Sequence, residues 1–258
     1  MKLLQTAERI SNVEASDNVI FQRSLFAYHE ASEIISGTLL EIGTGMGYGF
    51  EILAPKVEKY IAIDKYSSEI IEKNIGVENF QFHKQNVPPI VNIPDNSVDF
   101  VVSFQVIEHI KNDRLFVKEI HRVLKPSGKV ILTTPNIKMS LTRNPWHIRE
   151  YTHQEFHSLL SKYFNKTELK GVFGNEKTMN YFEENKKSVE KITRFDILNL
   201  QYNLPRKLLQ IPYDILNRMN RKKLMNKNIT EVNDVSVKDY FLKDADNYCF
   251  DLFAIAEK

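Results

Sequence analysis

The stretch TLLEIGTGMGYGFEILA, Thr38 to Ala54, passes from an apolar strand pattern through alternate glycines into a helical pattern. Four of the chain's nine glycines fall in it, Gly43, Gly45, Gly47 and Gly49, separated by Thr44, Met46 and Tyr48. A tight turn that needs φ > 0 is served by one or two glycines. Four in alternation strip the main chain bare where a strand meets a helix, and free N–H groups at a helix start favour an anionic ligand group. A strand–loop–helix unit of this kind belongs to a parallel sheet with helices on its faces.

The sequence up to Val172 obeys that constraint. Short apolar runs recur at TLLEI (38–42), KYIAID (59–64), FQFHK (80–84), VDFVVSF (98–104) and KVILTT (129–134). They alternate with helical patterns near 67–75 and 113–124. In the second of these, Leu115, Phe116, Ile120, Val123 and Leu124 share a face, Asp113 is the expected N-cap, and KPSGK (125–129) is the expected turn before the next strand. Another helix is expected from Thr152, with Glu155 completing a capping box. Beyond Glu176 the rhythm breaks into a polar, helix-biased stretch interrupted by Pro205 and Pro212, which argue for short helices over one long one. YCFDLFAIAE (248–257) then looks like a strand returning to the sheet. The expected layout is an N-terminal helical cap over 1–37, an α/β core over 38–175 and 247–258, and a helical insertion over 176–246 serving as a substrate lid.

Composition narrows the function classes. With 26% charged residues, 42% hydrophobic residues and a net charge of +2, the chain has a globular composition and no overall charge for binding a polyanion. Cys249 is the sole cysteine, which excludes a disulfide framework or a thiolate zinc cluster and predicts a buried apolar filler. No 18-residue apolar stretch and no signal-peptide pattern is present, so a cytoplasmic location is expected.

The glycine spacing decides between ligands. A dinucleotide fingerprint, G-x-G-x-x-G, would place its third glycine at Tyr48 or Phe50, depending on whether it starts at Gly43 or Gly45. The spacing present is G-x-G-x-G, preceded by Glu41. Asp64, 17 residues beyond Gly47, closes the second strand, where a carboxylate can accept hydrogen bonds from both hydroxyls of a ribose.

With LLEIGTGMGYG, IAID, SVDFVVSFQVIEHI, EIHRVLKPSGKVILTTPN and HIREYTHQEFHSLL in this order, the chain resembles the class I S-adenosylmethionine-dependent methyltransferases, and among them the bacterial small-molecule enzymes. The resemblance covers residues 1–172 and 248–258. It implies a Rossmann-like, seven-stranded sheet, mostly parallel with an antiparallel last strand and flanked by helices. It also implies S-adenosylmethionine as cofactor, with S-adenosylhomocysteine as product. By the same resemblance Gly43, Thr44, Gly45 and Gly47 line the methionine moiety, Glu41 polarises its amino end indirectly, and Asp64 takes the ribose. Lys65 and Tyr66 lie along the adenine, Asn86 with Val87 stands where the family usually has an aspartate facing the adenine amino group, and Ser103 and Phe104 sit beside the sulfonium.

A hydroxyl acceptor needs a proton removed, and histidine is the usual base at neutral pH; His109, His147 and His153 are the candidates. In related ubiquinone-pathway O-methyltransferases an E-x-x-E-H run can bind a divalent metal. Here the run is Gln105-Val106-Ile107-Glu108-His109, one carboxylate short, and no metal is expected. NPWHIREYTHQEF (144–156) follows the fifth strand, where the acceptor pocket should open, offering Trp146, Arg149 and Tyr151. Arg149 suits an anionic acceptor group or an ion pair with Glu150 or another acid. Tyr28, on the leading helix, is expected near the site. Between residues 204 and 223, Arg206, Lys207, Arg218, Arg221, Lys222 and Lys223 face a single carboxylate, Asp214. This basic amphipathic stretch fits either a lid with a solvated face or contact with a membrane surface or lipid-linked substrate, and no nucleic-acid motif accompanies it. The expected function is methyl transfer to a small-molecule acceptor, foremost a hydroxyl of a saccharide, lipid-linked intermediate or other metabolite. The competing readings are a methyltransferase-like binding module without catalysis, acting through the basic insertion, and an NAD-dependent oxidoreductase. Oligomeric state is not encoded in any of these features.

Overall fold

A computed structural model describes residues 13–227 and 229–258; the first twelve residues of the expected N-terminal cap lie outside the described residues. Eight described strands form one sheet: β1 (Thr38–Ile42), β2 (Lys59–Asp64), β3 (Phe80–Lys84), β4 (Val98–Phe104), β5 (Leu124–Pro135), β6 (Lys166–Gly174), β7 (Tyr240–Asp244) and β8 (Asp251–Glu257). Their order is β3-β2-β1-β4-β5-β8-β6-β7. The first five are mutually parallel, β8 runs antiparallel between β5 and β6, and β7 is antiparallel to β6. From β1 the chain winds first towards β3 and then, after β4, towards β5. The crevice at the carboxyl ends of β1 and β4 is therefore a topological switch point, where open α/β sheets bind ligands.

Period-two alternation assigns each strand's side chains to two cores. Leu40 and Ile42 of β1 join Phe116, Val117 and Ile120 of α4 (Asp113–Val123) and Phe156 of α5 (His153–Leu160). Leu39 points the other way, into a core with Phe26, Ala27 and Ala31 of α1 (Asn18–Ser32). Glu41 shares that second direction, so the strand pattern itself aims a carboxylate at α1. Short helices α2 (Tyr48–Leu53) and α3 (Glu69–Asn74) follow β1 and β2. Complete burial of Phe116 or Phe156 stabilises the fold by about 1.5–3 kcal/mol each.

Several local expectations meet the structure directly. Thr152 caps α5 and forms the reciprocal capping box with Glu155. The cap of α4 is Asn112, whose side chain accepts from Leu115 N, while Asp113 occupies the first helical position. KPSGK is no free turn: α4 stops at Val123 and β5 begins at once, absorbing the segment as a kink with Ser127 at φ 63 and an irregular register opposite Val98 and Phe100. Cys249 is fully buried, its thiol pushed up to about 11 by burial.

The expected seven strands become eight. The added one, β7, lies at the end of the stretch read as helical, and pairs its Tyr240–Asp244 with Gly174–Lys170 of β6. It is short and ends in Lys243 and Asp244, as exposed edges commonly do. The remainder of that stretch is helical: α6 (Glu176–Thr193), α7 (Leu200–Asn203), α8 (Arg206–Lys227) and α9 (Ile229–Asn233). Contrary to the expectation of short helices, α8 continues through Pro212 for 22 residues. Its inner face explains the continuity. Arg218 and Arg221 reach Asp17 at 3.0 Å each, and Asn220 donates to Asn185 of α6 at 2.7 Å. Those contacts outweigh the backbone hydrogen bond that proline removes. They also withdraw two of the cations counted on the basic stretch into the interior. Among the described residues no helix is long and apolar enough to cross a membrane.

Candidate active site

A cavity of about 1240 Å³ opens at the switch point, roofed by α1 and by the helices of residues 176–227. That exceeds the usual ~300–1,000 Å³ of a single small-ligand pocket. At its cofactor-like end lies the glycine loop. Gly45 has φ +56 and nothing within 4 Å of where a Cβ would stand, so its main chain faces open cavity. Gly49 serves a different need: a Cβ there would fall on the ring of Tyr28, so its absence lets α1 press against α2. Asp64, at the end of β2, accepts from Gly45 N with one oxygen and from Tyr66 N with the other, both at 2.9 Å. The carboxylate thus joins the two loops that close this end of the cavity.

Behind the loop is a buried acid. Glu41 accepts from Tyr28 Oη at 2.9 Å on one oxygen and from Tyr60 Oη at 2.5 Å on the other. Burial pushes its carboxyl up to about 7, against the two tyrosine hydrogen bonds, which lower it. Burial, then the Glu41 charge, raises both tyrosines well above their ordinary value. Tyr28 in turn meets Phe104 edge to face, ring centroids 4.8 Å apart.

The acceptor-like end is built by residues 140–150, after β5. His147 Nδ1 lies 2.6 Å from Glu150 Oε1, with both side chains about nine-tenths buried. A carboxylate only accepts, so Nδ1 carries the hydrogen and Nε2 keeps its lone pair, which accepts from Asn144 Nδ2 at 3.0 Å. Ser140 donates its hydroxyl to the second Glu150 oxygen. His109 Nδ1 faces the Trp146 carbonyl at 3.1 Å, and its ring meets that of His147 edge to face at 4.9 Å. The helices above are tied to this loop: Trp146 Nε1 donates to Asp214 at 3.0 Å, Arg206 to the His147 carbonyl at 3.0 Å, and Arg143 to the carbonyls of Gln201 and Tyr202 at 3.1 Å.

The sequence model of a family described as "Methyltransferase domain" matches residues 40–132. A Mycolicibacterium smegmatis protein named a probable S-adenosylmethionine-dependent methyltransferase is 34% identical over 175 residues, 65% of this chain and 68% of that protein. A Mycobacterium tuberculosis protein of the same description is 35% identical over 164 residues, 61% of this chain and 60% of its own length. The chain belongs to the S-adenosylmethionine-dependent methyltransferases. The fold agrees: the crystal structure of the YcgJ protein from Bacillus subtilis superposes with a TM-score of 0.52 at 18% identity, covering 92% of this chain and 97% of that one. Family membership makes the chain an enzyme that uses S-adenosylmethionine and sets the nicotinamide reading aside.

On this methyltransferase, the expected cofactor residues divide in two. Gly43, Gly45, Asp64, Lys65 and Tyr66 line the cavity, as do Asn86, Val87 and Phe104. Glu41, Thr44, Gly47 and Ser103 stand behind it; Ser103 donates to the Ile42 carbonyl at 2.9 Å, holding β4 against β1. Of the acceptor-side candidates, Tyr28, His109, Trp146 and His147 line the cavity and Arg149, Tyr151 and His153 do not. Arg149 is spent on the carbonyls of Ile110 and Lys111 and on Asp113 at 3.1 Å, not on Glu150. Tyr151 is buried and donates to Asp113 at 2.9 Å. His153 opens α5 away from the cavity. Glu108, His109 and His147 bring ligand atoms within 4.8 Å of one another, a donor set a cation could use. His147 Nδ1 is held by Glu150 and one Glu108 oxygen accepts from Thr134 at 3.0 Å, so a cation there would have to displace Asn144 from His147 Nε2. Sequence reasoning missed the pairing of His147 with Glu150. The three-residue spacing is visible in the sequence, where Arg149 competes with His147 for the same acid.

Proposed function

We propose that this methyltransferase acts on a hydroxyl of a small-molecule acceptor, of the saccharide, lipid-linked or related metabolite class, with His147 as the base. The His147–Glu150 contact beside the cavity is the observation that carries this reading. An imidazole whose Nδ1–H is held by a carboxylate presents its Nε2 lone pair outward, and the carboxylate stabilises the charge that arrives with a proton. A hydroxyl that takes the place of the Asn144 amide meets that lone pair.

The residues present fit the cofactor. Gly45 leaves main chain open to the cavity, and Asp64 lies at the rim with accepting capacity for ribose hydroxyls. Lys65, Tyr66, Asn86 and Val87 offer an adenine wall, and Phe104 a flat apolar neighbour for the sulfur region. Glu41 acts on the amino end through Tyr28, the cavity-lining member of the pair. Bound S-adenosylmethionine supplies a methyl carbon already activated by positive sulfur. The chain's own tasks are alignment, exclusion of water under the helical roof, and acceptance of one proton at His147 Nε2. On this reading the proton acceptor is a side chain and no metal is used.

The test is methyl transfer from labelled S-adenosylmethionine to a panel of sugars and alkyl glycosides. His147→Ala should lower turnover by about 10²–10⁴-fold with cofactor affinity unchanged, and Glu150→Gln should lower it less and displace the pH profile. Full turnover by His147→Ala, with loss in His109→Ala, moves the base to His109 and refutes the assignment.

A further inference from the structure

The cavity has two chemically different ends beyond the cofactor loop. One is polar, under α1 and between α6 and α8, lined by Arg23, Gln105, Asn185, Asn220 and Asp251. There Arg23 pairs with Asp251 at 3.0 Å, and Ser188 and Asn220 hydrogen-bond at 2.6 Å. The other is apolar, lined by Val189, Ile192, Phe195, Leu200, Leu209 and Leu216, where α6 gives way to α8. The apolar end reaches the surface. Ile192, Phe195, Leu200 and Leu216 both line the cavity and rank among the exposed large hydrophobic residues.

Outside that mouth the apolar surface continues. Phe195 is 82% exposed, Ile197 89% and Leu198 72%, on the loop before α7. On α8, Leu208, Ile211, Ile215 and Met219 follow at three- and four-residue steps along one exposed face, with Ile211 71% exposed. Lys222 and Lys223 continue that face after its apolar half, over roughly 20 Å of helix. Lys191, Arg194 and Lys207 are exposed around the mouth as well. Against these five exposed cations, Lys191, Arg194, Lys207, Lys222 and Lys223, stand the carboxylates Glu190, Asp196 and Asp214, the last two partly buried, so positive charge predominates around the mouth. Large contiguous apolar surface on a folded chain marks an interaction site. Bulky apolar side chains rimmed by lysine and arginine match the boundary of an anionic bilayer, where the former enter the acyl region and the latter meet headgroup charge.

We infer that the ridge formed by Phe195, Ile197, Leu198, Ile211, Ile215 and Met219 docks on an anionic lipid bilayer, and that the acceptor is an amphiphile drawn from it. Its hydrocarbon chain occupies the apolar mouth and its hydroxylated headgroup the inner cavity, where His147 and Glu150 line the wall. The inference rests on the hydroxyl-acceptor reading above and deepens it. It also reassigns the membrane contact suggested by the basic stretch. Arg206, Arg218 and Arg221 are held inside, by the His147 carbonyl and Asp17, and the apolar loop 195–202 takes the leading part.

The experiment is co-sedimentation of the full chain with vesicles of phosphatidylcholine alone or with about one-third phosphatidylglycerol. The wild-type chain should sediment with the anionic vesicles and not with the neutral ones. The triple variant Ile211→Ser, Ile215→Ser, Met219→Ser should bind at least about tenfold more weakly. All three positions are exposed, so its melting temperature and S-adenosylmethionine affinity should match wild type, and a second triple variant at Phe195, Ile197 and Leu198 should reproduce the loss. Failure of the wild-type chain to sediment with anionic vesicles overturns the inference, as does undiminished sedimentation of both triple variants. A wild-type dimer that either triple variant converts to monomer also overturns it, because a second copy would then cover the ridge. His147→Ala should keep full vesicle binding, so the docking and the base assignment fail separately.

Discussion

The buried carboxyl of Glu41 makes stability depend on pH in a way that one substitution should remove. Its pKa stands at about 7 in the folded chain against an ordinary value of 4.5, with burial as the largest cause. The fold therefore favours the protonated acid at pH values below about 7. Below pH 4.5 folded and unfolded states are both protonated, and the stability contribution is fully present. As pH rises towards 7 the unfolded chain ionises and the folded one does not, so stability falls until the folded carboxyl also ionises. At about 1.36 kcal/mol per pKa unit, the whole interval amounts to roughly 3 kcal/mol, of which about 2 kcal/mol falls between pH 5.5 and 8. Glu41→Gln copies the protonated acid: its oxygen accepts from one tyrosine hydroxyl and its amide donates to the other. Urea unfolding of both proteins at pH 5.5 and 8 should show the wild type losing about 2 kcal/mol relative to the variant. Titrations elsewhere in the chain are common to the two and cancel in the difference. Parallel pH profiles would refute the reasoning and place the Glu41 carboxyl near its ordinary range. The same logic reaches the cofactor. Its ammonium group favours an ionised Glu41, so S-adenosylmethionine binding near pH 6.5 should release a proton in the wild type and none in the variant, read as buffer-dependent calorimetric enthalpy.

Two further perturbations address the site and its support. Asp64→Ala should weaken S-adenosylmethionine binding by about 1.5–3 kcal/mol, roughly ten- to 150-fold in Kd, because a charged acceptor is lost; an unchanged Kd by titration calorimetry removes Asp64 from the ribose role. Asp17→Asn should cost on the order of 3–5 kcal/mol in urea unfolding, since it leaves the partly buried Arg218 and Arg221 facing a neutral amide in place of a fully buried carboxylate; a loss below about 1 kcal/mol would show that the cluster contributes little.

What could be seen in the sequence was what local spacing determines. Glycine spacing, the Asp64 that closes β2 and the Thr152–Glu155 box involve residues close in the chain whose geometry follows from the element they sit on. The choice of Asn112 over Asp113 as cap was not visible, because adjacent residues with equivalent side chains differ only in the backbone angles the loop happens to adopt. The inward turn of Arg218 and Arg221 was beyond reach for another reason. Their partner, Asp17, lies some two hundred residues earlier, and a basic residue on an amphipathic helix looks the same whether it meets water or a buried acid. β7 escaped because a five-residue edge strand with one polar end carries little periodicity. Arg149 and His147 each sit close to Glu150, and charge alone does not say which of them it holds.

The leading helix, expected near the site through Tyr28, touches both ends of the cavity. α1 carries Tyr28, which bonds Glu41 behind the glycine loop, packs on Phe104 and fills the space Gly49 leaves. Two turns earlier along the helix, Phe21 meets Tyr48 edge to face at 5.0 Å, at the start of α2. Arg23 holds Asp251 of β8 in the polar chamber, and Asn18 donates to the carbonyls of Val232 and Val235 at the far end of the helical roof. Asp17, at the helix start, anchors α8. A single 15-residue helix therefore forms a shared wall of the glycine-loop end of the cavity and the polar chamber. Packed interiors transmit displacement because they have few voids to absorb it. A displacement of the roof at Asp17 should on that ground reach Tyr28, and through it Glu41. Damage to the Asp17 anchor should for that reason appear at the cofactor end as well as in stability, as weaker S-adenosylmethionine binding by an Asp17→Asn chain that is still folded. An Asp17→Asn protein with full cofactor affinity would show that the two ends share a wall without sharing its motion.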